Sequence, residues 1–298
     1  MTPAAQAVPV KSDREGAERG VLAQIAVSIA RDRVSLFFLI VLVAIVLVAI
    51  FADRIAPYDP IAQSLLNINL PPSAEHWLGT DQFGRDVLSR IIYGARTSLL
   101  LGVIAPVIAA VIGTAFGVTA GYFGGWIDRI IGRFLDIFLA FPALLLGILI
   151  AAALGPGFWN MVVVLTVAFA PRFARIARAS TMSIRSEAFI EAAIASGMRT
   201  PAIMLHHVLP NIAGSIVVVL TLWIATAVRL EATLSFLGLG TQPPKASWGN
   251  IIRDGLGNLF GSPWPIVAAG LAITLTVLAF NMLGDAVRDI LDPEARDE

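Results

Sequence analysis

The sequence predicts an all-α integral membrane protein with six transmembrane helices. Of its 298 residues, 57% are hydrophobic and only 14% are charged, whereas a soluble domain carries roughly 25% charged residues. The charges also leave long gaps: Asp136 and Arg172, for example, enclose 35 residues without a charge. Because a charge at the bilayer centre costs about 3 kcal/mol and a helical crossing takes about 20 residues, such gaps are typical of membrane spans.

Five such gaps predict the six spans. The 35-residue gap contains Gly155-Pro156-Gly157, which is a turn signal, and therefore holds two helices. In the last gap, the glycines and the proline before Ile266 favour a loop, so the sixth span begins near that residue. We place the spans near residues 34–52, 98–120, 135–154, 158–178, 208–229 and 266–284.

The spans divide the chain into four parts. Residues 1–33 form a cytoplasmic tail whose start is rich in proline and charge, a composition typical of disorder. Residues 34–97 comprise the first span and an extracytoplasmic loop. Residues 98–284 form the core bundle, which contains a long internal loop at 172–210. Residues 285–298 form a second cytoplasmic tail.

The distribution of Lys and Arg places both termini in the cytoplasm. With that orientation, the inner segments carry 14 of these residues and the outer segments carry 7, in agreement with the positive-inside rule. A cleaved signal peptide is the alternative for the first apolar segment. Its lead of 33 residues and its apolar core of 19 residues are both too long for one, so we expect a retained anchor in the plasma membrane.

Composition and motifs argue against several other classes of protein. The 21 basic and 21 acidic residues cancel, so no basic field attracts nucleic acid. The chain has no Cys and only three His, too few for a thiolate or His-rich metal centre. It lacks the GxxxxGK(S/T), HExxH, GxSxG and GxGxxG motifs. We therefore expect no catalytic residue, no metal site and no cofactor on this chain.

The long internal loop predicts two short helices. The first covers residues 186–196 and ends at Gly197, which suits a left-handed C-cap. Thr200 is the expected N-cap of the second, and Pro201 suits its first position. The three- and four-residue spacing places on one face of the first helix Phe189, Ala192 and Ala193. Two interpretations of this face stay open: it docks another protein, or the helix rests on the bilayer.

The segment EAAIASGMRTPAIMLHHVLP resembles the EAA signature of ABC-transporter permease subunits. That signature reads EAA, three residues, G, nine residues, I, one residue, L and P. The positions that match in register are Glu191, Ala192, Ala193, Gly197, Leu209 and Pro210. His207 stands where the general pattern has isoleucine, which is similar to the His-Val-Leu-Pro ending of peptide permeases.

This resemblance implies a type I ABC importer permease with a MetI-like bundle. The loop is then a coupling helix that docks into a groove on a separate ATPase, and Glu187, Phe189 and His207 join the matched residues at that contact. The implied partners are a homologous second permease, two ATPases that bind ATP and Mg²⁺, and an extracytoplasmic substrate-binding protein. Membrane lipid is a further partner of this chain.

Two outer segments are similar to dipeptide, oligopeptide and nickel permeases of the "C" type. They are residues 76–99, HWLGTDQFGRDVLSRIIYGARTSL, and residues 232–250, ATLSFLGLGTQPPKASWGN. The likeness implies import of dipeptides or oligopeptides, with nickel import as an alternative. A secondary transporter without ATPases is the alternative of another class. The scarcity of ionisable residues inside the spans argues against a proton-driven carrier.

Each outer segment offers residues with a structural and a functional interpretation. The first segment contains a mixed-charge cluster of Asp81, Arg85 and Asp86. By default we interpret it as a structural turn in which Asp86 caps the next helix. The alternative is that the cluster docks the binding protein. The second segment either turns the loop and seats a tryptophan at the membrane interface or builds a rigid gate over the transport path. Its candidate residues are Gln242, Pro243, Trp248 and Gly249.

Span two carries a repeated pattern of small residues. Its glycines recur every four residues, at Gly113, Gly117 and Gly121. This spacing predicts close helix packing, either within the chain or against a partner permease.

Charged residues also mark the inner ends of spans three and four. Arg133 and Asp136 have the spacing of an ion pair on one helix face. Snorkelling to lipid phosphates is sufficient to explain the basic residues at every third position of the fourth span. These are Arg172, Arg175 and Arg178.

Overall fold

The structure is a computed structural model that describes residues 32–291, so the tail predicted to be disordered and residues 292–298 lie outside it. The described chain is helical and has only one isolated β-bridge. Its elements in order are α1 Arg33–Ile50, α2 Ala52–Ile55, α3 Val87–Phe123, α4 Gly125–Leu139, α5 Ala143–Leu154, α6 Phe158–Arg185, α7 Ala188–Ala195, α8 Thr200–Ile203, a π-helical turn Met204–Val208, α9 Leu209–Phe236, α10 Trp248–Gly255, a 3₁₀ turn Leu256–Asn258 and α11 Trp264–Leu291.

The prediction of an all-α membrane protein is confirmed, with one difference in the third span. Over residues 32–291, five helices are long and apolar enough to cross a bilayer, namely α1, α3, α6, α9 and α11. At 135–154 we predicted a single span, but α4 and α5 meet there at 89°. Pro142 is the N-cap residue of α5. It lacks an N–H and disfavours helical geometry in the residue before it, so the helix breaks.

Several helices extend beyond the predicted membrane boundaries. Helix α3 begins eleven residues before the predicted residue 98, because the Asp86 side chain accepts a hydrogen bond from the Ser89 N–H and caps it there. At 1.5 Å per residue, its 37 residues extend about 55 Å, well beyond a hydrocarbon core of about 30 Å. Helices α6 and α11 likewise continue past the predicted limits at 178 and 284.

The backbones of α3 and α6 approach each other closely along the glycine stripe. A Cβ atom on Gly113 would lie 2.3 Å from the carbonyl oxygen of Ala170, and one on Gly117 would lie 2.3 Å from that of Ala174. At Gly121, the corresponding distance to the next turn of α6 is 2.7 Å. The stripe therefore packs inside this chain, which was one of the two arrangements left open by the sequence.

We expect Gly117→Ala to destabilise the protein by about 1–3 kcal/mol. The added methyl group overlaps a backbone carbonyl of α6, which has no side-chain rotation with which to move away. Gly270→Ala in α11 is the matched control, because no described atom lies within 4 Å of its Cβ position. The measurement is the thermal unfolding midpoint of the purified protein in detergent. Equal midpoints for the two variants would contradict the close packing.

Arginines near the C-terminal end of α6 pair with α4. Arg178 forms a bidentate ion pair with Asp128, and Arg175 Nη2 lies 3.0 Å from Asp136 Oδ1. Asp136 thus pairs with α6 and not, as its spacing suggested, with Arg133 on its own helix. The reason is that both carboxylates of α4 face α6 where the two helices meet.

Candidate functional site

Helix α7 is fixed to one end of the bundle by two side chains. Ile190 is fully buried and Ala193 is 7% exposed. Both belong to an apolar cluster with residues from α3, α6 and α9, among them Val118, Ala177 and Ile212. One face of this eight-residue helix is therefore occupied by contacts within the chain.

The rest of α7 is exposed and partly apolar. Phe189 is 42% exposed and Ile194 is 54% exposed, and Glu191 and Ala192 lie exposed beside them. Phe189, Ala192 and Ala193 were predicted to share one accessible face, but Ala193 is buried against the bundle while the other two are exposed. The EAA segment thus combines an anchoring residue with exposed neighbours.

The turn after α7 requires a left-handed backbone at Gly197. Its φ is +77°, its N–H donates to the Ile194 carbonyl at 3.0 Å, and the Met198 N–H donates to the Ala193 carbonyl at 3.2 Å. These two bonds define a Schellman cap. No described atom lies within 4 Å of the Cβ position. Glycine is therefore favoured by the backbone conformation and not by crowding.

Helix α8 continues into α9 without a break. Arg199 is its N-cap and Thr200 its first residue, one position earlier than predicted. The π-helical turn follows, in which the Leu209 N–H donates to the Met204 carbonyl. Pro210 has no N–H to donate, and a π turn is one way to accommodate the displaced carbonyls. Together α8, the turn and α9 form one helical rod of 37 residues.

The remaining candidate residues lie around α7. Glu187 is exposed and is its N-cap residue. The His207 ring lies 6.4 Å from the Phe189 ring, and Leu209 and Pro210 are exposed at the start of α9. We call this set the inner surface, after the side of the membrane on which the sequence predicts it. It consists of Glu187, Phe189, Glu191, Ala192, His207, Leu209 and Pro210.

At the opposite end, a buried ionic cluster ties the outer loop to the helices. Asp81 Oδ2 accepts hydrogen bonds from Arg85 Nε at 2.7 Å and from Arg90 Nη1 at 2.5 Å. Asp254 Oδ2 accepts from both guanidinium groups at 3.1 Å. All four side chains are at most 10% exposed. The cluster is electrically balanced, which buried charges require, and it joins the loop before α3, α3 itself and α10.

Asp86 completes this outer structure as the N-cap of α3. Its carboxylate accepts from the Ser89 hydroxyl at 2.7 Å and lies 2.9 Å from His76 Nδ1. Asp81, Arg85 and Asp86 are each only 3% exposed. This burial argues against the docking interpretation of the three residues, because a binding protein cannot contact side chains that are inside the fold.

The loop between α9 and α10 packs onto the outer end of the bundle. Ser247 and Asn250 form a capping box at the start of α10. Trp248 is 1% exposed, and its Nε1 donates to the Ile91 carbonyl at 3.1 Å. It therefore packs inside the chain, whereas one of the two interpretations of the sequence placed it at the membrane interface. A Cβ on Gly249 would lie 2.3 Å from a carbonyl oxygen of α9, so the loop sits directly on that helix.

The tip of this loop is exposed. Gln242 and Pro243 are both accessible, and Gln242 Nε2 donates to the Gly238 carbonyl at 3.1 Å. Of the four candidate gate residues, these two present a surface, while Trp248 and Gly249 hold the loop in place.

Glu231 is a buried carboxyl group that the spacing of charges did not single out. It lies in α9 and is fully buried, and its Oε1 accepts from the Ser235 hydroxyl at 2.7 Å. Among the described residues, Oε2 has no hydrogen-bond partner. The sequence feature that could have identified Glu231 is its position, two residues after Arg229 and inside a helix.

An open cavity of about 1050 Å³ lies beside the loop tip. Its lining includes charged groups of both signs, Asp59 and Lys245 among them. On another wall, Asp53 accepts hydrogen bonds at 2.9 Å from Arg96 Nη2 and from the Tyr93 hydroxyl. These hydrogen bonds, the one from Arg96 foremost, lower the pKa of the Asp53 carboxyl below its usual value.

Comparison with known families decides what kind of protein carries these features. Residues 113–297, more than half of the chain, match the family "Binding-protein-dependent transport system inner membrane component". The chain belongs to this family. The first helix region of the permease, residues 24–72, also matches the "N-terminal TM domain of oligopeptide transport permease C".

Individual relatives are similar in sequence to nearly the whole permease. It is 42% identical over 266 residues to the "Dipeptide transport system permease protein DppC" of Alkalihalophilus pseudofirmus, with 89% of this chain and 88% of the relative covered. It is 43% identical over 269 residues to the "Glutathione transport system permease protein GsiD" of Escherichia coli O6:K15:H31, with the same coverage.

A solved structure confirms the fold of the permease. "Inward facing conformations of the MetNI methionine ABC transporter" matches with a TM-score of 0.56 at 21% identity, covering 68% of the permease and 97% of that chain. The predicted type I ABC importer architecture is thus confirmed. The permease is a multi-pass membrane component of such an importer. Within residues 32–291, no group of three or more His, Cys, Asp or Glu is placed to hold a metal ion.

Proposed function

We propose that this permease imports dipeptides or oligopeptides. The observation that carries the proposal is the identity of 42–43%, over 89% of the chain, to permeases named for dipeptide and glutathione transport. The match of residues 24–72 to oligopeptide permease C supports the same substrate class. Glutathione is itself a tripeptide, so these names share one chemistry, a short chain with free amino and carboxyl groups.

The inner surface is the proposed contact with a separate ATPase, which binds ATP and Mg²⁺. Ile190 and Ala193 fix α7 to the bundle, and the 37-residue rod joins α8 directly to α9. An ATPase that displaces α7 therefore moves α9, since only the capped turn at residues 196–199 lies between α7 and the rod. Hydrolysis takes place on the ATPase, and this chain converts the motion into alternating access.

The proposed assembly contains a homologous second permease, two ATPases and an extracytoplasmic binding protein. Both termini of this chain lie in the cytoplasm, which the excess of 14 over 7 basic residues on the inner side supports. Two of the seven outer residues, Arg85 and Arg90, are paired with carboxylates inside the buried cluster. The outer surface is therefore even less basic than the count suggests.

The outer loop is the proposed gate, and its tip is the proposed contact for the binding protein. Gln242 and Pro243 are exposed there, whereas Trp248 is buried below them. The adjacent cavity contains Asp59 and Lys245. These side chains offer opposite charges to the ammonium and carboxylate ends of a short peptide.

Uptake measurements on the complete transporter in proteoliposomes test the substrate. We expect ATP-dependent uptake of a radiolabelled dipeptide. Unlabelled dipeptide, tripeptide or glutathione reduces this uptake by competition, and Ni²⁺ leaves it unchanged. Liposomes without internal ATP are the control. Uptake of labelled nickel that excess peptide does not reduce, with no peptide uptake, would end the peptide proposal in favour of nickel. An active carrier recovered without any ATPase would refute the coupling to ATP.

A further inference from the structure

Helix α4 changes direction sharply where it leads into α5. It meets α5 at 89°, so α4 lies parallel to the membrane plane when α5 follows the membrane normal. The ion pair between Asp128 and Arg178 attaches it to α6, close to the end of α6 that leads into α7. Helix α4 therefore lies at the same membrane surface as the inner surface defined above.

The side chains of α4 divide into three sectors. At 100° per residue, one sector faces the bundle and contains the buried Leu135. A second sector is apolar, and its members are each more than 50% exposed, namely Trp126, Ile130, Phe134 and Ile137. The third is charged and contains Asp128, Arg129, Arg133 and Asp136. An exposed apolar sector beside a charged one is typical of a helix that lies in the membrane interface.

The charged sector borders a surface cavity with an excess of positive charge. The cavity has a volume of about 340 Å³, and its charged lining residues are Asp128, Arg129, Arg133, Asp136, Arg175 and Arg178. The two carboxylates are paired with Arg175 and Arg178. Among residues 32–289, Arg129 and Arg133 have no carboxylate within 4 Å, and they are exposed one helical turn apart. Two guanidinium groups are thus available to one anion.

We propose that α4 is an in-plane helix that binds the phosphate of an anionic phospholipid of the cytoplasmic leaflet. Arg129 and Arg133 hold the phosphate, since guanidinium groups suit its geometry. The exposed sector around Trp126 and Phe134 enters the acyl region. Free phosphate offers the same contacts to the arginines but leaves the apolar sector in water. The lipid is therefore the occupant that fits both sectors.

The test measures lipid binding by the complete transporter in detergent. It is titrated with dioctanoyl phosphatidylglycerol, and bound lipid is counted by native mass spectrometry. We expect the combined substitution Arg129→Gln and Arg133→Gln to raise the dissociation constant roughly thirtyfold. Arg54→Gln combined with Arg229→Gln is the matched control. Both are exposed arginines of the outer segments, and their replacement leaves binding unchanged.

Three outcomes of this titration would overturn the proposal. The first is equal affinity of the Arg129 and Arg133 variant and the unmodified protein for the lipid. The second is binding of dioctanoyl phosphatidylcholine as tight as that of the anionic lipid. The third is displacement of the lipid by inorganic phosphate at equal concentration, which would identify a site for a free anion.

Fluorescence quenching tests the apolar sector independently. The complete transporter is placed in bilayers with bromine on the acyl chains. The difference between the unmodified protein and the Trp126→Phe variant isolates the signal of Trp126 from the other five tryptophans of this chain and from those of its partners. We expect strong quenching of the Trp126 component. Absence of quenching would show that a partner protein covers this sector, and the in-plane lipid helix would then be rejected.

Discussion

Replacing Asp81 with Asn is expected to destabilise the permease by about 3–5 kcal/mol, the usual cost of removing one partner from a buried ion pair. Asp81 is 3% exposed and accepts from both Arg85 and Arg90. The amide keeps the shape of the side chain but removes its charge. It leaves two buried guanidinium groups with only Asp254 to balance them. The thermal unfolding midpoint of the purified permease is the measurement.

Asp53→Asn is the matched control for this prediction. Asp53 is also paired with an arginine, Arg96, at 2.9 Å, but its side chain is 65% exposed. Water and salt screen such a pair, so its loss has little effect on stability. Equal shifts of the midpoint for Asp81→Asn and Asp53→Asn would show that the outer cluster does not stabilise the fold through buried charge.

Gly197→Val is expected to reduce ATP-dependent uptake roughly tenfold while leaving membrane insertion intact. At φ +77°, a β-branched residue carries a strain of about 1–3 kcal/mol, which favours states in which the Schellman cap has opened. Helix α7 then loses its fixed position relative to α8, and the proposed docking to the ATPase weakens. Insertion is preserved because Gly197 is exposed, outside the apolar core.

Gly197→Asn separates the backbone conformation from the loss of glycine as such. Asn adopts the left-handed region more readily than other non-glycine residues, and no described atom crowds the Cβ position. We expect this variant to retain most of the uptake and to copurify with the ATPases. Uptake by Gly197→Val at the unmodified rate, or equal loss in both variants, would contradict the proposed role of the turn.

The spans and the EAA segment were predictable because their signals are local. Long uncharged gaps reflect the cost of charge in hydrocarbon, and the helix stop at Gly197 reflects one residue's backbone freedom. The faces of α7 were not predictable in the same way. Which of Phe189 and Ala193 is buried depends on the helices that α7 contacts, and these come from distant parts of the chain.

The outer segment shows the same limit for charged residues. The cap at Asp86 follows from its position before an apolar run, and the structure contains it. The burial of Asp81 depends on Arg90 and on Asp254, which lies 164 residues after Arg90. Spacing along the chain does not reveal such a pairing, so a docking surface stayed open as an alternative to the structural turn.

The sequence by itself determined that the chain is helical, crosses the membrane several times and carries an EAA segment, because insertion energy and short-range backbone preferences act over one or two helical turns. Only the tertiary structure decided where the glycine stripe packs, which face of α7 is exposed and that Asp136 pairs with α6. Those outcomes depend on which surfaces, distant along the chain, come within contact of one another.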